Sequence, residues 1–184
     1  MRREYGLDGH TVIGHVGRFN VQKNHSRLLD IFAAYLHQDA SALLLLLGEG
    51  ELETAMKQKA QQLGIAESVR FTGLQSNVNE WYQAMDMFVM PSLFEGLPVV
   101  GVEAQASGLP CLFSDAVTDE VALSAQAKRL SLQADDGAWA KALQDAGHTH
   151  ADRAEGESIV RRAGYDICQE ATRIQNLYLT MAEQ

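Results

Sequence analysis

Short apolar runs rich in Val, Ile, Leu and Phe alternate along the chain with longer segments whose apolar residues recur at helical spacing. Unbroken apolar runs belong to strands covered on both faces. The pattern therefore predicts an α/β fold, a Rossmann-like parallel sheet of about six strands with helices on both faces. The expected strands cover residues 11–17, 42–47, 69–72, 87–90, 110–114 and 129–132. Helices are expected over 26–37, 52–63, 78–85, 99–106 and 136–146, with an acid-led helical segment over 118–123. In the first helix Leu28, Leu29, Phe32 and Leu36 share one face, which marks them as core rather than binding residues.

After Gly147 the pattern changes. Residues 148–157 contain no large apolar side chain and read as an exposed helix or linker. Beyond them, Ile167, Ile174, Leu177, Tyr178 and Met181 are spaced for an amphipathic helix over about 166–181, which needs a surface to dock on. The whole chain, 1–184, reads as one domain, with 46% hydrophobic residues to supply a core. No apolar run approaches the ~20 residues needed to cross a bilayer. Met1-Arg2-Arg3-Glu4 has no hydrophobic region behind its charges, so a cytoplasmic location is expected. The two cysteines, Cys111 and Cys168, are not spaced for a metal site or a disulfide framework. A net charge of −9 argues against nucleic acid as a ligand and leaves room for a small anion held by local cations.

Two loops follow strands and lead into helices, where such folds bind ligands. In the first, Gly17-Arg18-Phe19-Asn20-Val21-Gln22-Lys23-Asn24, Arg18 offers a planar fork and Lys23 a point charge, a pair suited to a diphosphate. Taken alone, the same residues read first as a solvated loop with Asn24 capping the helix. The second loop, Gly48-Glu49-Gly50-Glu51, fails the dinucleotide fingerprint because Glu53 stands where the third glycine belongs. Its three glutamates oppose a pyrophosphate, which leaves contact with a ribose or a base and weighs against a nicotinamide enzyme.

The run from Pro91 to Pro110 is the most specific. Gly96 permits close backbone approach, Pro98 suits a first helical turn, and the free amides of that turn can bind an anion. Glu95 stands in the loop and Glu103 eight residues on in the helix, so the two carboxylates are expected to face one cleft at different depths and to accept hydrogen bonds from sugar hydroxyls. The bland alternative is one loop carboxylate and one helix-surface carboxylate. The histidines, His15, His25, His148 and His150 among them, read as structural or solvated.

At Phe94-Glu95-Gly96-Leu97-Pro98 and Glu103-Ala104-x-Ala106-x-Gly108-x-Pro110 the chain resembles the retaining glycosyltransferases of family four, also called group 1, which have the GT-B fold and two glutamates separated by seven residues. Phe71-Thr72-Gly73 and Met90-Pro91-Ser92 extend the resemblance over nearly the whole chain. It implies a C-terminal donor-binding half, with Arg18 and Lys23 on the donor diphosphate, Glu95 on the transferred sugar and Glu103 on the ribose. It further implies that the main chain at Gly96, Leu97, Pro98 and Val99 contacts sugar and phosphate, that Gly17 lies in the diphosphate loop, and that the Gly73-Leu74 turn lies near the base. The implied reaction moves a hexose from a nucleoside-diphosphate sugar, taken as a UDP-sugar, to a saccharide or lipid-linked acceptor in polysaccharide synthesis, with no metal or other cofactor required. Family members carry a preceding acceptor domain, so this chain is expected to hold half of the active site and to transfer sugar poorly alone. The surface facing that domain could pair two copies, and the full-length enzyme could lie peripheral to the inner membrane. The rival reading is a regulatory module that binds the nucleotide sugar without catalysis.

Overall fold

The fold is taken from a computed structural model that describes residues 1–147 and 153–182. Six parallel strands form one sheet: β1 (Val12–Val16), β2 (Leu43–Leu47), β3 (Val69–Gly73), β4 (Met87–Met90), β5 (Cys111–Ser114) and β6 (Ala127–Leu130), in the order β3-β2-β1-β4-β5-β6. The helices are α1 (His25–Tyr35), α2 (Glu53–Gln62), α3 (Val78–Ala84), α4 (Val99–Ala106), α5 (Asp136–Gly147), α6 (Gly156–Val160) and α7 (Ile167–Ala182). The Rossmann-like reading of the sequence is therefore the observed architecture.

The central strands explain their own apolar runs. β2 is Leu43 to Leu47, and all five leucines are buried, because alternate side chains enter two different cores. Leu44 and Leu46 join Leu28, Leu29 and Phe32 of α1 on one face, with Trp139 of α5. Leu43, Leu45 and Leu47 join Trp81 and Tyr82 of α3 and Phe113 of β5 on the other. Leu36 packs against the first of these cores only in part.

Several boundaries differ from expectation. The sixth strand runs over Ala127–Leu130, two residues earlier than predicted, because this edge strand carries Lys128 and Arg129 and is only half covered, so its apolar signal was weak. The acid-led segment is a single 3-10 turn, Asp119–Val121, not a helix. Residues 153–157 do not stand off as a linker. The Arg153 guanidinium donates to the carbonyls of Tyr82, Gln83 and Met85, and Gly156 is buried against α4, where a Cβ would sit 2.5 Å from the Gly108 nitrogen. His148 and His150 lie outside the described residues.

The N-terminal segment is structural as well. Arg2 donates to the carbonyls of Ala84, Leu7 and His10 and pairs with Asp86 at 3.1 Å, while Leu7 is fully buried. In contrast, α7 has no buried residue: Ile167, Leu177, Tyr178 and Met181 are all more than half exposed. Among the described residues, no helix is long and apolar enough to cross a membrane.

Candidate donor-nucleotide site

The strand order reverses direction between β1 and β4, and in open parallel sheets the crevice at such a point is where ligands bind. Here the two loops that leave those strands are joined side by side. Asn24 Nδ2 donates to the Pro91 carbonyl at 3.1 Å, the Leu93 amide donates to the Gln22 carbonyl at 2.8 Å, and Gln22 Nε2 donates to the Phe94 carbonyl at 3.1 Å. The Lys23 ammonium then meets Glu95 Oε1 at 2.6 Å, with 16% and 11% of the two side chains exposed. The Lys23 end of the first loop is thus built into the seam, while Arg18 at its start stays exposed. Asn24 does stand at the helix start, in the left-handed region at φ 55°, but its side chain caps nothing and instead ties the two loops together.

Beneath this seam lie two histidines. The rings of His15 and His25 meet edge to face at 4.7 Å, and Phe19 stacks on His25 at 4.1 Å. His15 Nδ1 donates to the Val89 carbonyl at 2.8 Å. Burial lowers its pKa to about 4, and burial followed by the neighbouring His15 lowers that of His25, so both are neutral packing groups.

The loops after β1, β2 and β3 enclose an apolar cavity of about 400 Å³ lined by Gly17, Arg18, Gly48, Glu49, Leu74 and Val78. Main-chain bonds fix its rim: Gly17 N–H to Leu47, Gly48 N–H to Gly73 and Phe19 N–H to Glu49. Gly73 takes φ 68°, which suits glycine, and turns Leu74 outward, 72% exposed. Gly50 has no room for a side chain, since a Cβ would lie 2.5 Å from the Phe19 carbonyl oxygen. Arg18 reaches across the mouth to Glu51, 3.2 Å away, a pairing that the acidic cluster did not predict.

A second cavity, about 490 Å³, shares Val16 and Val78 with the first and is lined by Tyr82, Glu103 and Ser107. The two glutamates are therefore placed differently. Glu103 stands exposed on α4 over this cavity, whereas Glu95 lines neither of the two and is held at the loop seam by Lys23. Gly96 is open, and a Cβ added there would meet nothing within 4 Å. Pro98 is not within the first turn but at the cap before it, where its carbonyl accepts from the Gly101 amide at 2.9 Å. It has no N–H of its own, so the amides available at this end are those of Gly96, Leu97, Val99 and Val100. Among the described residues, no three His, Cys, Asp or Glu side chains are grouped to hold a metal.

Comparison with known proteins identifies the family and the fold. Residues 10–147 match the family model described as glycosyl transferases group 1. EpsF of Bacillus subtilis (strain 168), named as a glycosyltransferase, is 39% identical over 177 residues, covering 94% of this chain and 46% of EpsF. The lipopolysaccharide core biosynthesis mannosyltransferase LpsB of Rhizobium meliloti (strain 1021) is 29% identical over 96% of this chain and 54% of its own length. The chain thus spans about half the length of these relatives. Anabaena HepE, solved with UDP-glucose, shares the fold at a TM-score of 0.80 and 20% identity, over all of this chain and 51% of HepE. With the Rossmann-like sheet and a family match across most of its length, the chain belongs to the group 1 glycosyl transferases and has the fold of one half of a GT-B enzyme.

Proposed function

We propose that this domain binds the donor of a retaining glycosyltransferase that moves a hexose from a UDP-sugar to a saccharide or lipid-linked acceptor in polysaccharide synthesis. The observation that carries the reading is the joined pair of cavities beside the Lys23–Glu95 seam. The base enters the apolar 400 Å³ cavity against Leu74, the ribose hydroxyls reach Glu103 in the adjoining one, and the diphosphate lies towards Arg18, Lys23 and the amides at the start of α4. Glu95 contacts the transferred sugar. The lipopolysaccharide role in the name of LpsB, and the UDP-glucose bound to HepE, support the substrate class.

The chemistry is electrostatic. As the anomeric carbon gains positive character the leaving diphosphate gains negative charge, and fixed cations with helix amides stabilise that charge more in the transition state than before it. Arg18, Lys23 and the amides supply this field, so the proposed reaction calls on no metal, and loss of one contact costs about 2–4 kcal/mol of barrier. The apolar face of α7 packs on an acceptor-binding half preceding this one in the full-length enzyme, a cytoplasmic protein peripheral to the inner membrane. Without that half the domain transfers sugar slowly or not at all, and the same face pairs two copies.

Calorimetry with UDP, UDP-glucose, a GDP-sugar and NAD tests the reading. Heat with UDP and UDP-glucose, abolished in an Arg18→Ala, Lys23→Ala double variant, supports it. Absence of heat with every nucleotide, or unchanged affinity in the double variant, overturns it.

A further inference from the structure

We propose that Tyr82 is a positioning residue for the donor ribose, acting through Glu103. Its side chain is 1% exposed, with the ring packed edge-on to Phe88 at 6.1 Å in the core beneath α3 and α4. The residue nevertheless lines the 490 Å³ cavity together with Glu103. There it donates to Glu103 Oε2 at 3.0 Å and shares the same proton with the Val100 carbonyl oxygen at 3.2 Å.

Burial, and next the Glu103 carboxylate, push the Tyr82 pKa far up, so the group stays a donor at any working pH. The backbone that carries it is fixed from the far side of α3, where Arg153 Nη2 donates to the carbonyls of Tyr82 and Met85 at 3.2 and 2.8 Å. Glu103, in contrast, is exposed on the surface of α4, and a glutamate there samples several rotamers. The Tyr82 bond selects one of them. It occupies Oε2 and leaves Oε1 free to accept from a ribose hydroxyl in the cavity, so the ordering cost is met before ligand arrives.

This rests on the reading of Glu103 as the ribose contact, so the experiment separates the two. Calorimetry is done on the wild type, Tyr82→Phe, Glu103→Ala and the double variant, with UDP and with 2′,3′-dideoxy-UDP as probes. Wild type prefers UDP. Tyr82→Phe weakens UDP about three- to tenfold, the worth of one side chain's lost freedom, and leaves dideoxy-UDP unchanged, so the preference for ribose shrinks. In the double variant nothing further is lost beyond Glu103→Ala. Equal weakening of both probes in Tyr82→Phe means a structural role and overturns the inference, as does no change in either. Retained ribose preference in Glu103→Ala overturns the reading of Glu103 itself and the inference with it. Unchanged dideoxy-UDP binding also certifies that the Tyr82 variant is folded.

Discussion

The Lys23 ammonium and the Glu95 carboxylate lie 2.6 Å apart although 72 residues separate them in the chain. The contact closes a seam between the loops that leave β1 and β4, and it holds the cation and the carboxylate together at the carboxyl end of these two strands. A pair this sheltered is worth more than a surface ion pair, because either charge left alone has lost part of its water without a partner.

Removing Lys23 therefore acts twice. Lys23→Ala is expected to destabilise the domain by about 1.5–3 kcal/mol, read from urea unfolding, and to weaken UDP by losing a phosphate contact. Glu95→Gln keeps a hydrogen-bond acceptor for Lys23 and so costs less stability, with UDP affinity close to that of the wild type. Equal stability loss in the two variants contradicts this account of the seam.

Arg18 behaves differently, since its bond to Glu51 is open to solvent, with 71% and 55% of the side chains exposed. Glu51→Ala releases the guanidinium for phosphate and is expected to tighten UDP by about fivefold at most. The gain shrinks as salt rises from about 0.05 to about 0.5 M because the competing pair is screened. Weaker binding in Glu51→Ala would show that Glu51 orients Arg18 rather than competing for it.

Stability should depend on acid through the buried histidines. The folded protein holds His15 neutral down to about pH 4, against an ordinary value of 6.5, while the unfolded chain takes up a proton below 6.5. The unfolded state thus binds more protons across that window, and stability falls as pH drops from 6.5 towards 4, by about 1.4 kcal/mol per pH unit for each histidine at full slope. Denaturation midpoints at pH 7 and pH 5 test this, and His25→Phe, which retains the stack on Phe19, should reduce the difference. An unaltered slope in that variant would remove His25 from the account.

The docking of the tail on α4 is testable at one atom. Gly156 lies so close to the Gln105 carbonyl oxygen that a Cβ would be 2.6 Å away, and Gly108 takes φ 70° against the Arg153 main chain. Gly156→Ala forces the two apart. The expected result is a loss of about 1–3 kcal/mol in stability, with UDP affinity weakened only through the Arg153 support of Tyr82.

What could be read in advance follows from where the information lies. The leucines of β2 and the Leu28, Leu29, Phe32 face of α1 announce themselves because burial on both sides of a sheet leaves an apolar run of strand length. The glycine and proline frame around Glu95 and Glu103 is similarly local, and it marks the loop that forms the Lys23 seam and the helix that lines the second cavity. Contacts made at long range leave no such trace. Nothing adjacent to Tyr82 points to Glu103, Asn24 looks like a cap until Pro91 is brought beside it, and residues 153–157 lack the large apolar side chains by which docking is usually recognised. In β6 the signal slips by two positions because an edge strand with Lys128 and Arg129 has one weakly buried face.

The place of β1 between β2 and β4 has a consequence for the order in which the molecule is built. Its neighbour β2 can pair with it after a loop and one helix, but β4 arrives only with residue 87. Until then β1 keeps one edge open, Lys23 has no counter-charge, and the cleft has a single wall. The proposed nucleotide site is thus completed only by the late, long-range closure of the sheet, and a folding intermediate with β1, β2 and β3 already paired would hold the loops of the 400 Å³ cavity without the Lys23–Glu95 seam or the cavity under Glu103.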